Sequence, residues 1–349
     1  TSGAEVWLNA TVCELHTAGP GAPVSVVART ATGDEIRVVT PNLVIAAGAI
    51  ETTRLALLLD RQNGGVVSQA SPALGRYFTD HLSIGVAEIE ARRRAALNRI
   101  IGFRFGAGGT MRNIRFELAA DAPARTRLPP GFAHVGFEAD QPGGFDALRE
   151  VFRHLQMRRM APPGVLLQLL RHAPWLARAV WWRLVHQRLL FPADSRLVVH
   201  MVAQQAPSPD SRITLSPDRT DMFGQPLAQI DWRISEADVA NLLGLAQAFE
   251  QTWNRSGLAA LGSWTAYGAD RLRQELQHSS GIYHPTGSTR MAARAADGVV
   301  DADLRLFALP QVRLLATSVL PTGGGANPTM MLLLLAMRCA RDMARPQRG

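Results

Sequence analysis

Apolar and polar residues alternate along positions 5–15 and again along 24–30, with Gly19-Pro20-Gly21 between the two runs. Alternation of period two, interrupted by a glycine–proline turn, predicts a β-hairpin, and residues 35–40 add a further strand. The pattern then changes. Residues 43–47 are apolar without alternation, as a strand covered on both faces requires. Gly48 interrupts that run, and residues 51–59 continue as a helix with Glu51 in the first turn, where a carboxylate complements the helix dipole. Strand, glycine and helix in that order predict one unit of an α/β sheet, a corner that also occurs as plain scaffold in such folds.

From about Ser71 short alternating runs return, at 84–89, 114–118 and 197–202, and predict an antiparallel sheet. Residues 212–216 and 227–234 flank a turn holding Pro217, Asp218 and Gly224, a second hairpin. Ser235, with Asp238 three residues on, caps a helix expected to run to Phe249. Near the end, 312–316 is another apolar strand. Residues 329–344 carry leucines and methionines all round, which predicts a buried helix. Pro328 suits its first position and Pro346 its end.

A chain of 349 residues has room for two packed units, and 47% apolar with 19% charged residues excludes a disordered chain. The net charge of +8 invites an anionic partner, but all 37 basic residues are arginine, the mark of a compositional bias rather than a binding surface. No basic helix is interleaved with aromatics, so nucleic acid is not an expected partner. Cys13 and Cys339 are too few for a disulfide framework and lack metal-ligand spacing, and they fit a reducing, cytoplasmic setting.

Residues 151–193 contain no acid, seven arginines and Trp175, Trp181 and Trp182. Prolines exclude a spanning helix. Two readings remain: a peripheral membrane contact, or helices covering a second domain. Arg171 and Arg178 share a helical face while Arg183 and Arg188 point elsewhere, which favours the covering helices.

His284 and Asn327 each precede a proline, in Tyr283-His284-Pro285-Thr286-Gly287-Ser288-Thr289-Arg290-Met291 and in Gly323-Gly324-Gly325-Ala326-Asn327-Pro328-Thr329. A residue before proline is pushed into extended backbone, so both polar side chains sit on stiffened segments among glycines. An imidazole is the usual proton acceptor near neutral pH, and an amide can hold a substrate oxygen. Asn327 would also make a good helix cap; beside the His284 motif it reads as catalytic. His81, His172, His186 and His200 read as surface or core fillers.

These two motifs, with Gly298-Val299-Val300-Asp301 and Ser318-Val319-Leu320-Pro321-Thr322 between them, resemble the closing signature of the glucose–methanol–choline family of flavin-dependent alcohol oxidoreductases. Leu43-Val44-Ile45-Ala46-Ala47-Gly48 running into Glu51-Thr52-Thr53-Arg54-Leu55, Gly75-Arg76-Tyr77-Phe78-Thr79-Asp80-His81 and Ser211-Arg212-Ile213-Thr214-Leu215-Ser216 have counterparts there too, in the same order. The resemblance implies a mixed α/β and α+β chain: part of a Rossmann-like FAD-binding domain over 1–75, a substrate domain of antiparallel sheet and helices over 76–280, and a catalytic segment returning to the FAD domain over 281–349. It implies oxidation of a primary or secondary alcohol, with His284 taking the hydroxyl proton, Asn327 at the second polar position, and N5 of FAD accepting the hydride.

The implied cofactor contacts are Ala47, Gly48, Ala316, Thr317, Gly325, Pro328 and Thr329, with the helix after Pro328 aimed at the flavin. Many members carry an aspartate where this chain has Ala316, so backbone or the Thr317 hydroxyl is expected to hold the FAD there. The family's Gly-x-Gly-x-x-Gly turn is absent; Gly106-Ala107-Gly108-Gly109 is nearest but has no apolar strand before it. The expectation is a C-terminal portion of a longer enzyme, inactive by itself. The alternatives are a non-redox, hydroxynitrile lyase-like member and an orphan fragment.

Overall fold

The computed structural model describes residues 3–139, 142–278, 281 and 284–344, so Tyr283 and Pro346 lie outside the described residues. In chain order the strands and helices begin with β1 (Thr11–Thr17), β2 (Val24–Arg29), β3 (Glu35–Thr40), β4 (Leu43–Ile45), α1 (Ala49–Gln62) and α2 (Val66–Ala70). Next come β5 (His81–Ala91), α3 (Arg94–Ile101), β6 (Arg104–Phe105), β7 (Met111–Arg112), β8 (Phe116–Glu117) and β9 (Gly131–Glu138). Three helices follow, α4 (Gly144–Gln156), α5 (Pro163–Arg171) and α6 (Ala173–His186), and then β10 (Arg196–Gln204), β11 (Arg212–Thr220) and β12 (Pro226–Asp231). The chain closes with α7 (Glu236–Arg255), β13 (Gly262–Ala266), α8 (Ala269–Gln277), β14 (Val312–Leu314) and α9 (Thr329–Ala344). They form two compact units. One holds residues up to His81, Gln204–Ser235 and the chain from Gly281 on; the other holds Leu82–Ala203 and Glu236–Ser280.

In the first unit β1, β2 and β3 make an antiparallel sheet. The hairpin is shorter than its alternation suggested. Arg29, the last residue of β2, pairs with Thr11, which leaves residues 5–10 with no strand opposite them. Val6, Trp7 and Leu8 are accordingly exposed. The core of the unit gathers Leu15 and Val24 from this sheet, Leu55, Leu58 and Leu59 from α1, and Val299, Val300, Leu304 and Val319 from the later loops.

β4 pairs in parallel with β14, Leu43 opposite Val312 and Ile45 opposite Leu314. The strand stops before Ala46, and among the described residues these two strands form the whole of their sheet. The expectation of a strand over 43–47 covered on both faces is therefore corrected: Ile45 is buried but Ala46, Ala47 and Gly48 are exposed, because no strand pairs on the other edge.

The hairpin β11–β12 groups with this first unit, not with the middle region where its sequence position put it. Arg54 of α1, 5% exposed, explains why. Its guanidinium donates to Pro226 O at 2.6 Å, to Asp221 Oδ2 at 2.7 Å and to Glu51 Oε1 at 2.8 Å. A buried arginine needs such a full set of acceptors, and the hairpin supplies two of them.

α9 has the predicted limits but not the predicted burial. Leu335 and Cys339 face the core, while Met330, Leu333, Leu334 and Met337 are exposed. An apolar sequence declares which faces favour cover; here only one face meets another part of the chain.

The second unit is built on a five-stranded sheet ordered β13-β5-β10-β9-β8, with antiparallel pairing at β13–β5, β10–β9 and β8–β9. β10 is buried except at Arg196, His200 and Gln204, which fall on one face of the strand by their even spacing. The expected strand over 114–118 shrinks to Phe116–Glu117. The helix after Ser235 runs past Phe249 to Arg255.

Candidate active site

The first unit laces together segments some two hundred residues apart. Thr79 and Thr286 exchange backbone hydrogen bonds at 3.0 and 2.9 Å, and their hydroxyls meet at 2.8 Å. This short bridge sets the chain entering His81 against the chain leaving His284. Gly287 makes the approach possible: with φ +88 it occupies a conformation that favours glycine, and a Cβ there would run into Tyr77 O. Asp80, 9% exposed, completes the lacing, because its Oδ1 accepts the backbone N–H of His81 at 2.6 Å and of His284 at 2.9 Å. One carboxylate thus fixes the main chain of both histidines.

The rings meet as the backbones do. His81 Nδ1 lies 3.1 Å from His284 Nδ1, the rings edge to face with centroids 5.2 Å apart. On its other side His81 Nε2 lies 2.8 Å from Gly324 O. A carbonyl oxygen only accepts, so Nε2 of His81 carries a proton. Neutral His81 then has its lone pair on Nδ1, and His284 must donate from Nδ1. That assignment, made from the hydrogen-bond network, puts the lone pair of neutral His284 on Nε2, the nitrogen a general base uses. Gly324 is held from the other direction, its N–H donating to Gln204 Oε1 at 3.1 Å. A side chain on Gly323 would come within 3.0 Å of His81 Nε2, so glycine suits the close approach of this loop to the ring.

His81, Asp80 and Gln204 were not chosen from the sequence as site residues. The available signal was the stretch Gly75 to His81, whose order matched the family pattern although its histidine read as filler. His81 is 1% exposed and fully hydrogen-bonded, and filler is not what it is.

Asn327 is brought less close. It is exposed, and among the described residues its amide makes no hydrogen bond to His284. Nor does it cap α9: Leu332 N donates to Pro328 O, which puts Pro328 at the cap and Asn327 one position before it. Of the other residues in this loop, Gly325 is half-buried, Pro328 buried and Thr329 exposed.

The four remaining candidates come together at one edge. Open α/β sheets receive ligands beyond the carboxyl ends of parallel strands. Ala47 and Gly48 follow β4, and Ala316 and Thr317 follow β14, at those ends of the parallel pair. Gly48 has φ 81 and ψ 167, backbone open essentially to glycine alone, and a Cβ added to it would meet nothing within 4 Å. The space before it is open. Ala47 N–H is already taken, donating to Thr52 Oγ1 at 3.0 Å. Ala316 is 1% exposed, main chain and side chain together, so it underlies the edge and Thr317, half-buried, is the residue that reaches the surface there.

Thr317 corrects an expectation. Its hydroxyl donates to Pro285 O at 2.7 Å, so its proton serves the His284 segment and is not offered to a phosphate. Backbone contact is what remains there for an FAD. The open backbone at Gly48 and the two strand ends would suit a flat, polar cofactor such as FAD, and among the described residues no Gly-x-Gly-x-x-Gly turn is present for a pyrophosphate.

Known proteins resemble this chain in sequence and fold. Residues 207–336 match the family model described as GMC oxidoreductase. The 2-methyl-1,2-propanediol dehydrogenase of Mycolicibacterium austroafricanum is 24% identical over 348 residues, covering 98% of this chain and 55% of the relative. Among solved structures, the pyridoxine 4-oxidase from Mesorbium loti superposes with a TM-score of 0.56 at 18% identity, over 95% of this chain and 57% of that one. A formate oxidase of Aspergillus oryzae RIB40, examined for its FAD modification, gives a TM-score of 0.52 at 16% identity, over 95% and 59%. The chain thus spans little more than half the length of each. Its fold is that of the two solved structures over that span, and residues 207–336 carry the likeness to GMC oxidoreductases.

Proposed function

We propose that this chain supplies the base and part of the cofactor cleft for FAD-dependent oxidation of a primary or secondary alcohol to a carbonyl. The observation that carries the reading is the hydrogen-bonded series Gly324 O, His81, His284, which assigns the lone pair of His284 to Nε2. Through that nitrogen His284 takes the hydroxyl proton as the C–H bond breaks. His81 holds the His284 ring in orientation and tautomer, and Asp80 holds both backbones. Asn327 is the proposed second polar contact to the alcohol oxygen, carried on the glycine loop that His81 and Gln204 tether at Gly324. The acceptor for the carbon-bound hydride is the chemistry that FAD supplies when bound. Ala47, Gly48, Ala316, Thr317, Gly325, Pro328 and Thr329 are its proposed contacts, by main chain at Thr317 with Ala316 buried beneath it.

The name of the diol dehydrogenase relative suggests small vicinal diols as first substrates to try. In flavin-loaded protein, His284→Ala is expected to keep its cofactor and to slow anaerobic flavin bleaching by about 10² to 10⁴, the usual contribution of a positioned base. Unchanged bleaching kinetics would remove His284 from the role. Turnover without any bleaching would instead assign the site to non-redox chemistry of the lyase kind.

A further inference from the structure

The largest concentration of exposed apolar side chains lies in the second unit, on helices that contribute no residue to the candidate site. Of the 26 large apolar residues exposed among the described residues, 11 fall between Phe152 and Val185, on α4, α5 and α6 and the links between them. The three helices pack on one another, so this exposure is not that of an unpacked segment.

The outer surface of α6 has a definite form. With 100° between successive residues, Val180, Trp181, Leu184 and Val185 fall on one stripe, and all four are exposed. Trp182 and His186 lie on the opposite side, their rings 4.3 Å apart, and Trp182 is buried. The helix therefore has two apolar faces, of which the inner one is already satisfied. Arg178 and Arg183 flank the outer stripe, one on each side, and both are exposed. The guanidinium of Arg183 sits 4.3 Å over the Phe105 ring, which fixes one margin. Leu166, Leu167 and Leu170 of α5 are exposed as well, with Arg171 at the helix end.

Charge selects the occupant. Residues 151–193 hold seven arginines and no acid. Seven arginines with no acid among them favour an anionic partner, and a stripe of tryptophan and leucine with arginines beside it, their stems along the apolar layer and their heads in the phosphates, suits an anionic lipid surface. No helix among the described residues is long and apolar enough to cross a membrane. α6, with 14 residues, is about 21 Å long, short of a bilayer core and suited to lying in the interface.

We infer that the outer face of α5 and α6 docks on an anionic lipid bilayer, with Trp181 and Leu184 entering the acyl boundary and Arg171, Arg178 and Arg183 engaging the headgroups. This separates the two readings that the sequence left open, because the helices cover their unit with one face and present the other.

The test uses the full-length protein with vesicles of phosphatidylglycerol and phosphatidylcholine, and with pure phosphatidylcholine as the neutral control. Sedimentation with the anionic vesicles is expected, with release at high salt. Arg178→Gln should weaken the apparent partition constant about fivefold, since each arginine near an anionic surface contributes on the order of a factor of five. Leu184→Glu should abolish binding while the circular dichroism stays native, because the residue is 75% exposed. Quenching of tryptophan emission by brominated acyl chains should fall in Trp181→Phe. Equal binding to neutral and anionic vesicles, no binding to either, or unaltered binding by Leu184→Glu would each overturn the inference. Lipid-independent association relieved by Leu184→Glu would overturn it too, and would give the face to a second copy of the chain.

Discussion

His284 was legible because its chemistry is written locally: an imidazole before a proline, inside a run of small residues. His81 was not, because nothing near it in the chain reports what its ring touches. Its partners come from His284 and Gly324, more than two hundred residues on, and only the folded bridge between Thr79 and Thr286 brings them in. Asn327 shows the converse. Its motif was as readable as that of His284, yet the structure leaves it exposed and off the helix cap, since position before a proline fixes backbone and not contact. The tautomer argument makes His81 a positioning residue, and that has a consequence. His81→Phe removes both the acceptor for His284 Nδ1–H and the donor to Gly324 O while keeping an aromatic ring in the buried space. In flavin-loaded protein we expect a kcat lower by about 10²-fold, the usual loss when a reacting group is slightly misplaced, together with a shifted pH–rate profile. A stability loss with an unmoved profile would make His81 structural only.

Strand and helix limits were read better than their surroundings. The starts of β2, β4 and α9 agree with the hydrophobic pattern to within a residue, because period and turn residues are local properties. Cover is not local. The 43–47 run and α9 were both read as buried, and each proved buried on one side only. The hairpin β11–β12 was placed with the wrong neighbours, since its anchor is Arg54 on a helix of the first unit. A pair no pattern announced is His134 on β9 and His200 on β10, directly opposite in register with stacked rings 5.3 Å apart. Burial, then His200 and Arg115, push the His134 imidazole down to about 4 from 6.5. Burial lowers His200 as well, against the opposing pull of Glu138 and Glu275. For His134 the folded value lies below the unfolded one, so between pH 6.5 and about 4 the unfolded chain binds a proton that the folded chain refuses. Its contribution to stability is complete above that window and declines as pH falls through it. Urea unfolding at neutral pH and again within the window should show the decline, and His134→Phe should flatten it. An equally steep decline in the variant would locate the acid sensitivity elsewhere.

The fold and the likeness to GMC oxidoreductases were legible from ordered motifs spread along most of the chain, but the readiness of this chain to act is a matter of what surrounds its open faces. Two such faces belong to the first unit. The free edge of β4 offers unpaired backbone groups beside an apolar hollow of about 250 Å³ lined by Val12, Leu15, Val26 and Leu55. The outer side of α9 shows Met330, Leu333, Leu334 and Met337 to solvent, with exposures between 52% and 66%. Contiguous apolar surface of that kind marks either an interface or an aggregation hazard. FAD, moreover, must be gripped at its pyrophosphate as well as along the flavin, and residues 1–349 contain no glycine fingerprint for the former. We therefore expect residues 1–349, expressed alone, to be colourless and prone to aggregate, and to oxidise no alcohol even when FAD is added. Fusing to them a segment that carries the strand, glycine turn and helix of a relative should restore both solubility and yellow colour, because it would pair the β4 edge and seat the pyrophosphate together. The measurement is flavin absorbance relative to protein after gel filtration, with light scattering for association. A monodisperse 1–349 product with flavin near one per chain would refute the expectation, and would mean that the strand ends at Gly48 and Thr317 hold the cofactor without a pyrophosphate nest.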